Sequence, residues 1–170
     1  MAQVEINKQA RLSEHFTLGE MCKTSAKTQD GNIPSHIHIE NLKRLCGWLE
    51  MLRSEWNKRY GYCPAEIAEN AEKSLCEEPI IINSGYRSPQ VNKAVGGAPN
   101  SNHLTGCAVD IHVAGIEQLV RYAAILLDIS DLNNEDFDEL LLERSPKGTY
   151  WLHFAVRPTG NRRKVAFLRA

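Results

Sequence analysis

The stretch from Asn83 to Asp110, NSGYRSPQVNKAVGGAPNSNHLTGCAVD, leaves this chain the least freedom. Ser88-Pro89 offers a helix N-cap followed by a residue whose fixed φ suits the first helical position. A short helix is therefore expected through Val95, and Gly96-Gly97 ends it. His103 and Asp110 lie seven positions apart, which is not one helix face. Gly106 between them permits a turn, so His103 can end one segment while Asp110 lies on the next strand, expected over Cys107 to Val113. Few purely structural segments combine an arginine on a tight turn, two glycine bends and this histidine–aspartate spacing.

The rest of the chain supplies elements to pack against that stretch. Residues 1 to 12 read as a peripheral arm, and 158–170 as a second one. A short helix is expected in TLGEMCK, capped near Thr17. The polar run KTSAKTQDGNIP, broken by Gly31 and Pro34, is a surface loop. Ser35 then caps a long helix. Ile39, Leu42, Leu45, Leu49, Leu52 and Trp56 recur at three- and four-residue steps, and Gly61 is a plausible stop. Cys63 to Glu78 is Ala/Glu-rich and suits one short helix. Pro79 to Asn83 has the β-branched run of a buried strand. Ile116 to Asp128 has helical spacing, and DLNNED follows as a turn. Phe137 to Glu143 and Tyr150 to Val156 are expected to form a hairpin across RSPKGT, with Lys164 to Leu168 adding an edge strand. Helices first, then mostly antiparallel strands, define an α+β fold with the long helix on one face of the sheet.

Bulk properties narrow the function classes. At 170 residues the chain suits one domain, 1–170, around a single core. With 42% apolar and 24% charged residues it has the composition of a soluble globular protein. The net charge is -1 and no basic run interleaves with aromatics, so nucleic acid is not an implied partner. The basic tail from Arg157 reads as a solvated chain end. The N-terminus has no apolar core segment, so neither a signal peptide nor membrane insertion is expected, and synthesis would leave the protein in the cytoplasm. Five cysteines without a C-x-x-C pair read as free thiols. The oligomeric state is not legible.

Four residues carry candidate chemistry. In YWLHFAV, alternation puts Trp151 and His153 on one strand face and Leu152 and Phe154 on the other. His103, Asp110 and His153 then make two imidazoles and a carboxylate, a common catalytic zinc set that leaves one position for water. Spacing alone more readily allows a core histidine, a capping aspartate and an unrelated strand histidine. Arg87, in SGYRS, offers a guanidinium fork that matches a carboxylate bidentately, or braces its own loop. His36 and His38, two apart in the first turn of a helix, read as surface histidines.

The ten residues from Ser101 to Asp110, SNHLTGCAVD, match S-x-H-x-x-G-x-A-x-D in full. With SGYRSP before and W-x-H after, the chain resembles the zinc D-Ala-D-Ala metallopeptidase family. That family includes D-Ala-D-Ala carboxypeptidases and phage endolysins that cut L-Ala-D-Glu bonds, and its fold is akin to the hedgehog domain. The resemblance runs from about Leu12 to Val156, and LSEHFTLGEM is similar to small phage and prophage members. It implies zinc held by His103, Asp110 and His153, and a carboxylate general base. Where many relatives carry that base, three residues before the last histidine, this chain has Tyr150. Glu143, across the hairpin turn, is expected to take the role instead, as the glutamate of the same hairpin does in hedgehog-like relatives. Glu139, four residues earlier on the same face, is the fallback. A surface pairing of Glu143 with Arg144 or Lys147 is the bland alternative. Arg87 is expected to anchor substrate near its carboxylate. Ser101 is expected on the substrate backbone or as a structural hydroxyl, and Trp151 as the pocket wall.

The implied function is hydrolysis of peptidoglycan stem peptides by metal-activated water, as endopeptidase or D,D-carboxypeptidase, acting on the cell wall after release. Two rivals stay open: a catalytically silent zinc-holding module that binds wall peptides or a protein, and a phage structural component with a vestigial site.

Overall fold

The computed structural model describes residues 7–61 and 77–169. The short helix expected within Cys63 to Glu78 lies almost wholly outside them, as do Cys63 and Cys76. Helix caps start the two N-terminal elements where the sequence asks for them. Thr17 and Glu20 form a reciprocal capping box on α1 (Leu18–Met21). Ser35 caps α2 (His36–Tyr60), which stops at Gly61. Ser88 caps α3 (Pro89–Ala94), with Pro89 at its first position.

Among the described residues, five strands form one sheet. They are β1 (Ile82–Ser84), β2 (Ala108–His112), β3 (Glu139–Arg144), β4 (Tyr150–Ala155) and β5 (Lys164–Arg169), in the order β1-β2-β4-β3-β5. All neighbours are antiparallel except β3 and β5. The chain reverses after β4 and lands on the far side of β3, so β5 runs parallel to β3. The expected edge strand therefore exists, and its register sets Lys164 beside Glu139.

Two expectations shift. The strand expected over 79–83 is paired over Ile82–Ser84, with an irregular register inside that stretch, and Ile81 before it turns outward, 51% exposed. The helix α4 (Ile116–Asn133) runs through the first half of the expected DLNNED turn. Ile129, 4% exposed, still packs on the core, and Asn134 ends the helix in a left-handed conformation that asparagine tolerates.

One sheet face is apolar. Val109, Ile111, Leu152 and Phe154 meet Leu45, Leu49 and Leu52 of α2 and Leu119, Tyr122 and Leu126 of α4 in a single core. Trp48 packs its ring 5.3 Å from Phe154. The opposite face carries Asp110, Glu139, Glu143, Trp151 and His153. The helices thus cover one side of the sheet and leave the polar side as the floor of a cleft. Among the described residues, no helix is long and apolar enough to cross a membrane.

Candidate metal centre and active site

Strand pairing sets Asp110 directly opposite His153. His103 reaches them from a 3-10 turn at Asn102–Thr105, whose N-cap is the Ser101 hydroxyl. The chain returns from that turn to β2 through Gly106, at φ 71°, where a Cβ would come within 2.7 Å of the His38 carbonyl oxygen. Only glycine meets both demands. Gly85 is equally confined: its Cβ would lie 2.3 Å from the Met21 carbonyl oxygen. That close approach lets the Gly85 carbonyl face His103.

The three donors converge at the floor of the cleft, each at most 8% exposed. One donor atom from each lies within 4.8 Å of the other two. His103 Nδ1 is 2.6 Å from the Gly85 carbonyl oxygen. A carbonyl only accepts, so Nδ1 carries the proton and Nε2 presents a lone pair. Burial pushes the His103 pKa down and keeps the ring neutral, although Asp110 pulls the other way. Yet Nε2 faces Asp110 Oδ1 at 3.2 Å. Two buried acceptors so placed call for a cation between them. His153 Nδ1 sits 2.9 Å from the same oxygen. For ligand bonds of ~2.0–2.1 Å, the donors of a tetrahedral zinc are roughly 3.3 Å apart. The two nitrogen–oxygen separations lie close to that, and the donor types are those zinc takes.

Electrostatics around the trio are consistent with this fit. Burial alone would raise the Asp110 pKa, but His103 and His153 outweigh it and hold the carboxyl ionised. Burial likewise opposes charge on His153, but hydrogen bonding to Asp110 and the nearby Glu139 raise its pKa to about 9. The second Asp110 oxygen accepts from Arg87 Nη2, and Arg87 Nε donates to Ser84 Oγ at 2.8 Å. One carboxylate oxygen is thereby left for an ion. Arg87 braces its loop and its aspartate while still lining the cleft.

The cleft encloses about 800 Å³ and is walled by Arg87, Ser101, Glu139, Glu143, Trp151 and Arg157 around the trio. Glu143 faces into it opposite Trp151. Burial, reinforced by the Asp110 charge, pushes the Glu143 pKa up against the opposing pull of His153. Neither Arg144 nor Lys147 pairs with it. Arg144 lies over the Tyr150 ring instead. Glu139 sits nearer to the trio than its place on the strand suggests, with Oε2 3.6 Å from His153 Nε2. Ser101 spends its hydroxyl as acceptor for the His103 amide at 3.3 Å. His112 is exposed and outside the cleft wall.

A polar network beside the trio escapes sequence reasoning. Asn102 donates to Asp138 at 2.8 Å and to Glu139 at 3.0 Å, and accepts from Arg157 Nε at 3.0 Å. Arg162 forks onto Asp138 with two bonds of 2.7 Å. The one available signal was Asn102, inside the SNHLTGCAVD motif. Its partners come from distant chain and carry none.

Comparison with known proteins agrees with this geometry. A family model described as Peptidase M15 matches residues 65–133, which include Arg87, His103 and Asp110. The match covers less than half of the chain, and over that segment, with the intact motif, the chain is similar to the M15 peptidases. Among curated relatives, the zinc D-Ala-D-Ala carboxypeptidase of Streptomyces albus G is 45% identical over 38 residues. That alignment covers 22% of this chain and 15% of the relative. His153, Glu139 and Glu143 lie beyond the segment matched by the family model, so their assembly rests on the fold.

Proposed function

We propose that this protein is a zinc-dependent peptidase that hydrolyses peptidoglycan stem peptides. The observation that supports it most directly is the buried lone pair of His103 facing the Asp110 carboxylate, with His153 on the same oxygen. His103, Asp110 and His153 would hold the ion. Bound there, zinc supplies Lewis-acid polarisation and lowers the pKa of a water toward ~7. Glu143 is the group placed to take a proton from the attacking water and return it to the leaving amine, because its carboxylate faces the cleft and its pKa is raised. Arg87 has one guanidinium nitrogen, Nη1, beyond those bonded to Ser84 and Asp110, and that edge can take a substrate carboxylate or carbonyl. Trp151 and Ser101 both wall the cleft, where they can contact the chain that enters it.

The test is mass analysis of fragments after the zinc-loaded protein is incubated with purified muropeptides. Cleavage that chelation stops and zinc restores is the expected result. The fragment masses separate an endopeptidase from a D,D-carboxypeptidase. One observation favours the rival of a silent binding module: Tyr150 stands where many relatives carry the base. Stoichiometric zinc with intact muropeptides would decide for that rival.

A further inference from the structure

Two of the candidate donors are hydrogen-bonded from behind, and the third has a carboxylate at ion-pair distance. His103 has the Gly85 carbonyl and Asp110 has Arg87. His153 uses Nδ1 toward Asp110, so its orientation depends on what meets Nε2. The group there is Glu139, at 3.6 Å and 14% exposed in its side chain. Glu139 is itself fixed from three directions. Asn102 Nδ2 donates to Oε2 at 3.0 Å, while Lys164 and Arg162 reach Oε1 at 3.1 and 3.0 Å. Two of those holders come from β5 and the residues just before it, on the far side of β3.

We propose that Glu139 is the positioning residue of the metal centre: it receives the His153 Nε2–H, fixes the ring with Nδ1 toward the ion, and is held in place by β5. A ring nitrogen that donates to a carboxylate makes the other nitrogen a better directed and more basic ligand. The other role open to Glu139, general base, would require its carboxylate to be free. Its partners at Lys164, Arg162 and Asn102 argue against that. Glu143, with no ion pair among the described residues, is the freer carboxylate. The inference rests on the zinc reading above, and it makes the last strand of the chain part of the metal site.

The experiment measures the zinc dissociation constant by chelator competition for the unaltered chain, Glu139→Ala and Glu139→Gln. It is paired with ¹⁵N spectra of labelled histidine in the zinc-loaded proteins. Glu139→Ala is expected to bind zinc 10–100-fold more weakly. In the unaltered protein, His153 should show a protonated Nε2 whose resonance shifts in both variants. Glu139→Gln keeps an acceptor oxygen without the charge and is expected to recover part of the lost affinity. A merely structural role would lower the melting temperature of the metal-free variants and leave the affinity unchanged. Zinc binding within twofold of the unaltered chain in Glu139→Ala overturns this proposal alone. If Glu139→Ala does not fold, Glu139→Gln carries the test: unchanged affinity and an unshifted His153 resonance overturn it. No zinc uptake by the unaltered chain overturns the zinc reading and this proposal together.

Discussion

Glu143 is the residue on which the proposed chemistry turns. It stands in register with Trp151, one residue pair along the β3–β4 ladder from Leu142–Leu152 and two from His153. Burial is the main cause of its raised pKa, with the Asp110 charge adding to it. A carboxylate with a raised pKa is a stronger base than a solvated one. Removing it leaves all three metal donors in place. Glu143→Ala should therefore take up zinc as the unaltered chain does, while turnover of a muropeptide falls by about 10²–10⁴-fold, the usual weight of a positioned acid–base group. Steady-state kinetics with a parallel zinc assay check both halves. Retained turnover would move the base elsewhere, and lost zinc would make Glu143 part of the metal centre instead.

Elements carry the donors, and two of them can be tested by size alone. Gly106 joins the His103 turn to β2 at positive φ, with the His38 carbonyl oxygen where a Cβ would go. Gly106→Ala should cost about 1–3 kcal/mol from the backbone conformation, plus whatever the contact adds, and should weaken zinc binding because His103 and Asp110 lie on either side of it. Thermal unfolding of the metal-free protein and a zinc titration separate the two effects. On the other sheet face, Trp48 of α2 packs on Phe154, the neighbour of His153 in β4. Trp48→Ala should destabilise by about 3–5 kcal/mol, as large-to-small core changes do, read by denaturant unfolding. Much of this layering was legible beforehand. The caps at Thr17, Ser35 and Ser88 are local chemistry, and the alternation in YWLHFAV follows from the two-residue period of a strand. Gly106 and strand alternation allowed His103, Asp110 and His153 to converge, but spacing alone left other roles open, and only the resemblance carried by SNHLTGCAVD implied the trio as ligands. What was not legible depends on long-range pairing. The holders of Glu139 face it only because β5 lands parallel to β3, and no spacing within the chain announces that register. The end of α4 was misplaced for a related reason. DLNNED reads as a turn locally, while the burial of Ile129 carries the helix further.

At the scale of the whole molecule, Asp138 joins parts of the chain that are remote in sequence. Its side chain is fully buried just before β3. It accepts from Asn102 in the motif loop, and it pairs with Arg162 and Arg157 from the segment that leads to β5. Burial by itself would raise its pKa, but the hydrogen bonds from Arg162 and Asn102 outweigh that, and the net direction is downward. A carboxylate whose folded pKa is depressed stabilises the fold above its unfolded value of ~3.9. That contribution is lost as pH falls through the lower, folded value. Asp138→Asn removes the charge but keeps the shape, and leaves two arginines that can turn to water because both are partly exposed. The expected loss at neutral pH is accordingly about 1–3 kcal/mol, below the 3–5 kcal/mol of a fully buried pair. Because the variant has no such group to protonate, its stability should also fall less steeply than that of the unaltered chain below about pH 4. Denaturant unfolding at pH 7 and at several points between pH 4 and pH 2 measures both. The same substitution should weaken zinc binding only modestly, since Asn102 keeps its bond to Glu139. A loss of zinc as large as that of Glu139→Ala would instead mean that Asp138, through Asn102 and Arg162, holds the metal centre as a single unit with its neighbour.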